Sequence, residues 1–114
     1  YRLAGAADLF LLPYPNLEQV SSGTLSYALA LGKAVLSTPF RHARAALAAG
    51  RGVLLPLEEE AWAQAVLALA ESPERLREME ERAYAYARDF TWPRVARAYR
   101  RLLEEVADVR PRVA

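Results

Sequence analysis

The chain has 114 residues, 54% of them apolar and 25% charged, and a formal net charge of +1. That make-up suits one small soluble domain with a core of its own and excludes a nucleic-acid binder with a concentrated basic face. With no cysteine, a disulfide framework and thiolate zinc ligation are also excluded, and no apolar run is long enough to cross a bilayer.

Tyr1-Arg-Leu-Ala-Gly-Ala-Ala7 reads as the end of a helix leading into a strand. A fragment of a longer protein is expected on that ground. Residues 9–13 form a continuous apolar run between Asp8 and Pro13-Tyr-Pro15, the pattern of a strand buried on both faces. Pro15 and Asn16 then open a loop. Ser21 or Ser22 suits an N-cap, and residues 24–31 are helix-forming. Gly32 fits the position just past that helix, where φ is positive. Residues 34–37 read as a second short buried strand, stopped by Pro39.

An Ala-rich helix follows over 41–49, ended by Gly50, and Gly52-Val-Leu-Leu-Pro56 reads as a third short strand. Residues 58–71 form an amphipathic helix with acidic residues in its first turn, where they favour the positive dipole end. Ser72-Pro73 is an N-cap with proline at the first helical position, so another helix runs to about Asp89. Thr91 caps a last helix, with Pro93 in its first turn, that runs to about Val106. The tail 109–114 is expected to fray.

The order β-α-β-α-β-α-α-α with short connections implies an α/β fold: a parallel sheet with right-handed crossovers and a helical C-terminal segment. Three strands are few for such a sheet, which again places further strands before residue 1. The absence of cysteine suits a reducing compartment, so the expected location is cytoplasmic, with a membrane-peripheral parent as a variant. Lys33 is the sole lysine among many arginines, and Ala and Leu are heavily used. That usage points to a GC-rich genome and a thermophilic source.

The chemistry gathers where the first strand meets the first full helix. A helix N-terminus at the carboxyl edge of a parallel sheet is where phosphate groups bind in open α/β folds. Ser21-Ser-Gly-Thr24 is either a plain helix cap or a phosphate cradle. In the second case Gly23 lets a ligand approach the backbone closely. The N–H groups of Gly23, Thr24 and Leu25 hold a pyrophosphate, helped by the Ser22 and Thr24 hydroxyls. No Walker A spacing is present.

Glu18 and Gln19 are either solvated loop residues or hydrogen-bonding partners of sugar hydroxyls next to the phosphates. Tyr27 shares a helix side with Gly23 and Thr24 and is either a core tyrosine or part of a nucleoside pocket. Thr38 either ends a strand or touches ligand. His42, the single histidine, builds neither a zinc site nor a Ser-His-Asp triad and reads as a loop or helix-start residue, with ligand contact as the lesser alternative. Arg44 and Arg51 read as surface or capping residues, with phosphate clamps as the lesser alternative. Tyr84, Tyr86, Phe90, Trp92 and Tyr99 form an aromatic band, read as core packing or as an interface with absent sequence.

Taken together, Ala7-Asp-Leu-Phe-Leu-Leu-Pro13, the Glu/Gln loop, Gly23, Ala28-Leu-Ala-Leu-Gly-Lys-Ala-Val35 and Gly50-Arg-Gly-Val-Leu-Leu-Pro56 resemble a known family. They are similar to the C-terminal donor domain of retaining nucleotide-sugar glycosyltransferases of the two-domain GT-B fold, the group 1 or family 4 type. Residues 61–70, Ser72-Pro-Glu-Arg75, Phe90-Thr-Trp92 and Tyr99 match in order, so the resemblance covers nearly the whole chain.

The resemblance implies the second half of a Rossmann-like donor domain, with an N-terminal acceptor domain and the start of this domain absent. It implies transfer of a sugar from a nucleotide diphosphate to a hydroxyl acceptor with retention. No metal or other cofactor is implied, because the nucleotide sugar is substrate. It assigns the pyrophosphate to Ser22, Gly23, Thr24 and Leu25, the donor sugar to Glu18 or Gln19 in the catalytic role, and the nucleoside side to Tyr27, with Thr38 nearby. Two glutamates usual in the family fall at Gln19 and Tyr27 here. Glycogen and starch synthases also carry tyrosine at the second position, and Glu18 adjoins the first. A further family glutamate is replaced around Arg44-Ala45, and the basic phosphate-binding residues would precede residue 1. The isolated chain is expected to be inactive and to self-associate through surfaces that the parent covers, with Trp92 and Tyr99 near the domain junction. The alternatives are a nucleotide-sugar epimerase of the same fold and a non-catalytic α/β interaction module.

Overall fold

The computed structural model describes residues 2–109. Its centre is β2 (Ala34–Ser37), whose four residues are all buried. Gly32 sets the entry to that strand. Helix α2 (Gly23–Ala30) ends at Leu31, and the chain reverses at Gly32 with φ +67°. The N–H groups of Gly32 and Lys33 donate to the Leu29 and Ala28 carbonyls, each at 3.0 Å, satisfying acceptors that a helix end leaves orphaned. A side chain at position 32 would take up a strained backbone and lie 3.1 Å from Tyr84, so the turn demands glycine.

Strands β1 (Leu9–Leu12) and β3 (Val53–Leu54) flank β2, and both run parallel to it. Leu9 lies opposite Ala34 and Leu12 opposite Ser37, while Leu36 lies opposite Val53. Alternate residues feed two cores. On one face Phe10, Leu12 and Val35 pack with Leu25, Ala28 and Leu29 of α2, Ala43 and Ala46 of α3 (Arg41–Ala46), and Ala83 and Ala87 of α5 (Pro73–Ala87). On the other, Leu9, Ala34, Leu36 and Val53 pack with Trp62, Val66 and Leu69 of α4 (Glu59–Ala70) and with Leu76 and Met79 of α5. The fold is therefore α/β, a short three-stranded parallel sheet with flanking helices, as the alternation of elements requires.

Three expectations need correction. Strand β1 is not buried on both faces, because Leu11 is 49% exposed. Among the described residues it is the outer strand of the sheet, and the second core reaches Leu9 but stops short of Leu11. The third strand is two residues rather than the span 52–56, prolonged only by the Leu55 N–H bond to the Ser37 carbonyl at 2.8 Å. Helix α3 ends at Ala46 and not at 49. There Ala49 and Gly50 adopt positive φ, and the Arg51 guanidinium takes the Ala45 and Ala46 carbonyls at 2.9 and 2.7 Å. Arg51 is thus the capping residue that the sequence suggested.

A short helix α1 (Arg2–Ala6) precedes β1. After α5 the chain tightens into a 3-10 turn (Arg88–Phe90) and enters α6 (Trp92–Val109), which runs past the expected end at 106. Residues 110–114 of the expected frayed tail lie outside the described residues. Helix α6 touches the rest mainly through the 3-10 turn. It stretches the molecule to 67 × 27 × 25 Å and its radius of gyration to 17.9 Å, against about 13 Å for a compact domain near this length. No helix among the described residues is long and apolar enough to cross a membrane.

Candidate functional site

Two loops leave the carboxyl ends of β1 and β2, and hydrogen bonds tie them together. The Thr38 hydroxyl donates to the Tyr14 carbonyl at 2.6 Å, and the Thr38 N–H donates to the Leu12 carbonyl at 3.2 Å. The Arg41 N–H donates to the Leu17 carbonyl at 3.1 Å. The Ser22 N–H donates to Nδ1 of His42 at 3.0 Å, and the rings of Tyr14 and Phe40 stand 5.0 Å apart. These contacts set the N-terminus of α2 beside the start of α3, outside the carboxyl edge of the sheet.

Ser22 is the N-cap of α2. Its Oγ accepts from the Leu25 N–H at 3.1 Å and pairs with the Tyr14 hydroxyl at 3.2 Å. The Ser26 N–H and hydroxyl both donate to the Ser22 carbonyl. The N–H groups of Gly23 and Thr24 have no acceptor among the described residues. They stand at the positive end of the helix dipole. A Cβ built at Gly23 would meet nothing within 4 Å, so protein packing does not require glycine there.

Gly23 opens on a groove of about 530 Å³. Ser26 and Tyr27 of α2, His42 of α3, Tyr86 and Ala87 of α5, and Phe90 and Trp92 beyond it line this groove. The Tyr86 and Phe90 rings meet at a 55° tilt with centroids 4.9 Å apart, and the Arg51 guanidinium lies 4.1 Å above Tyr86. Burial lowers the pKa of His42 below its usual 6.5, so the imidazole is neutral near pH 7. Because Nδ1 accepts from Ser22, the hydrogen-bond network assigns the ring proton to Nε2. The groove can take an anionic group at its Gly23 end and a flat or apolar group against its aromatic wall.

The structure brings Gly23 and Tyr27 to this groove, with Thr24 next to Gly23 on the exposed first turn. Others stand elsewhere. The Leu25 N–H, expected to be free, is spent on the cap, and the Ser22 hydroxyl that receives it is buried. The expected cradle of three amides is thus a pair. Thr38 is 1% exposed with its hydroxyl committed to Tyr14, which is the strand-end alternative.

Glu18 points to Arg41 at 2.9 Å on the surface, while its N–H closes a turn onto the Asn16 side chain at 3.1 Å. The Gln19 amide donates to the Ser21 carbonyl at 2.8 Å. Neither residue lines the groove.

Sequence reasoning missed the groove's opposite wall. His42 carried no pattern of its own, and its partner, the Ser22 N–H, lies twenty residues away. Tyr86, Phe90 and Trp92 stood out as aromatic, but as core or interface candidates. Comparison with protein families, curated proteins and solved structures finds no match for this chain.

Proposed function

We propose that this chain is the nucleotide-sugar-binding half of the donor domain of a retaining GT-B glycosyltransferase. In this reading the full-length enzyme moves a sugar from a nucleotide diphosphate to a hydroxyl acceptor. One observation carries the reading. Two acceptor-free backbone amides, Gly23 and Thr24, stand at a helix N-terminus outside the carboxyl edge of a parallel sheet, where open α/β folds bind phosphate groups. The order of motifs along the chain supplies the reaction class.

In the proposed site the diphosphate accepts from these two amides, and Tyr27 lies toward the nucleoside. The neutral His42 fixes the Ser22 backbone and with it the aim of the first turn. The donor sugar extends toward the loop that carries Glu18 and Gln19. For that role Glu18 must leave its exposed pairing with Arg41, which costs little. The nucleotide sugar is consumed as substrate, and no step is assigned to a metal.

The experiment is a comparison of turnover and stability in the full-length enzyme. A hydrogen bond made only to the reacting sugar shows in the rate. Glu18→Ala or Gln19→Ala is expected to cut turnover by about 10²-fold or more while leaving the melting temperature nearly unchanged. Full activity in both variants would remove the sugar-binding role of this loop.

A further inference from the structure

The peptide unit between Ser21 and Ser22 is held at both ends. Its N–H, that of Ser22, donates to Nδ1 of His42 at 3.0 Å, and its carbonyl, that of Ser21, accepts from the Gln19 side-chain amide at 2.8 Å. A peptide unit is planar and turns as one piece. A rotation that breaks one of these bonds therefore moves the partner of the other. Gln19, this peptide and His42 form a relay from the loop after β1 to the first turn of α3.

One member of the relay can change from acceptor to donor. Nδ1 accepts from Ser22 only while it carries no proton, and a charged ring presents N–H on both nitrogens. Donor then faces donor, and the Ser22 amide loses its acceptor. Histidine is the side chain that ordinarily changes charge near neutral pH, and the chain has one. The polar groups around it are Tyr14 and Glu18 of the loop, Tyr27 of α2, Tyr86 of α5 with Arg51 above it, and its helix neighbours Arg41 and Arg44. Glu18, the carboxylate among them, is paired with Arg41. The second tie between α3 and the loop, the Arg41 N–H on the Leu17 carbonyl at 3.1 Å, joins two backbone groups and cannot titrate.

We infer that His42 is a proton-operated latch: its neutral ring holds the Ser21–Ser22 peptide against the Gln19 amide, and a proton at Nδ1 turns that peptide away and releases the Gln19 side chain. The peptide is the freer partner. Ser21 is exposed, whereas the imidazole is half-buried with the Phe40 ring edge-on at 6.4 Å. The cap of α2 survives the turn, because the Ser22 hydroxyl and carbonyl bond to Leu25 and Ser26 and not to His42. Residues up to Leu17 stay tied to α3 through the backbone. The movement is thus confined to the segment 18–22. The latch stands on these bonds alone, and only its bearing on turnover, through Gln19 and the donor sugar, rests on the donor-binding reading.

The test is amide-resolved NMR of the chain from neutral to mildly acidic pH, with exchange rates corrected for their intrinsic pH dependence. As the His42 ring titrates, protection of the Ser22 amide should fall roughly tenfold or more. The Gln19 side-chain amide resonances should shift with the same midpoint, and the Arg41 amide should stay protected. His42→Asn places a carbonyl oxygen near the Nδ1 position without a titrating group, so both signals should hold steady across the range. His42→Ala should leave the Ser22 amide unprotected throughout. In the full-length enzyme, turnover relative to its neutral-pH value should fall on acidification in the parent and stay flat in His42→Asn. A turnover profile that ignores the variant while the Ser22 amide titrates would count against the sugar-binding role of Gln19 and not against the latch. A Ser22 amide that stays protected through the His42 titration, that loses protection together with Arg41, or that titrates equally in His42→Asn would overturn the latch.

Discussion

Helices α5 and α6 are similar in length and both amphipathic, yet α5 buries Met79, Ala83 and Ala87 while no residue of α6 from 92 to 108 is buried. The difference lies in the size of the apolar residues and in what faces them. Toward α2 and β2, α5 presents small alanines, which let helix and sheet approach closely. Helix α6 leaves Trp92, Tyr99, Leu102 and Leu103 exposed among the described residues, with Trp92 at the rim of the groove. A periodic pattern thus establishes that a face wants cover but not which surface provides it. The body is held by its two cores. Helix α6 joins the body chiefly at the 3-10 turn.

The largest break in this comparison comes from truncating matched leucines. Leu36→Ala, at a site with no exposure, should cost about 2–5 kcal/mol. Leu103→Ala on α6 should cost no more than about 0.5 kcal/mol under dilute, monomeric conditions. Urea denaturation followed by circular dichroism compares the two, and equal losses would mean that α6 is packed in solution. Next in size is the turn between α2 and β2. Gly32→Ala forces a side chain into left-handed backbone beside Tyr84 and should cost about 1–2 kcal/mol. Gly23→Ala, with open space around it, should show no such loss.

A smaller effect sharpens the link between α2 and α3. Burial lowers the His42 pKa in the folded chain below the 6.5 of the unfolded one. The unfolded chain therefore binds more protons between the two values, and stability falls as pH drops below 6.5 toward the folded pKa. Above 6.5 the contribution is complete and flat. His42→Gln should remove that slope from thermal melts between neutral and mildly acidic pH, because no other histidine is present to replace it. Smallest of all is the Glu18–Arg41 pair, whose side chains are 74% and 60% exposed. Glu18→Gln should change stability by less than about 1 kcal/mol, and added salt should erase even that.

Much of the body was legible in the sequence because its signals are local. Gly32 marked a helix end, Ser72-Pro73 a helix start, and the run 34–37 a buried strand, and each stands where its chemistry put it. The errors fall where burial depends on neighbours. The run 9–12 reads like a strand buried on both faces, but as the outer strand among the described residues it leaves Leu11 uncovered. At the candidate site, the cap at Ser22 was legible because an N-cap serine works on its own helix. That the same cap consumes the Leu25 amide needed the geometry of the turn. The His42–Ser22 bond, and the placement of Tyr86, Phe90 and Trp92 across the groove from α2, are long-range pairings that no local pattern in a single chain encodes.

The central claim is that the Gly23 end of the groove holds a nucleotide diphosphate, and a calorimetric titration of the full-length protein tests it most directly. The titrants are uridine, guanosine and adenosine diphosphates, against the parent and Gly23→Val. Because a Cβ at this position meets no protein atom within 4 Å, the valine should leave the fold intact and fill only the space offered to the ligand. The account predicts saturable binding of at least one diphosphate by the parent and a loss of roughly tenfold or more in affinity for the variant. Equal affinity in a folded Gly23→Val protein, or no diphosphate binding by the parent, would contradict it.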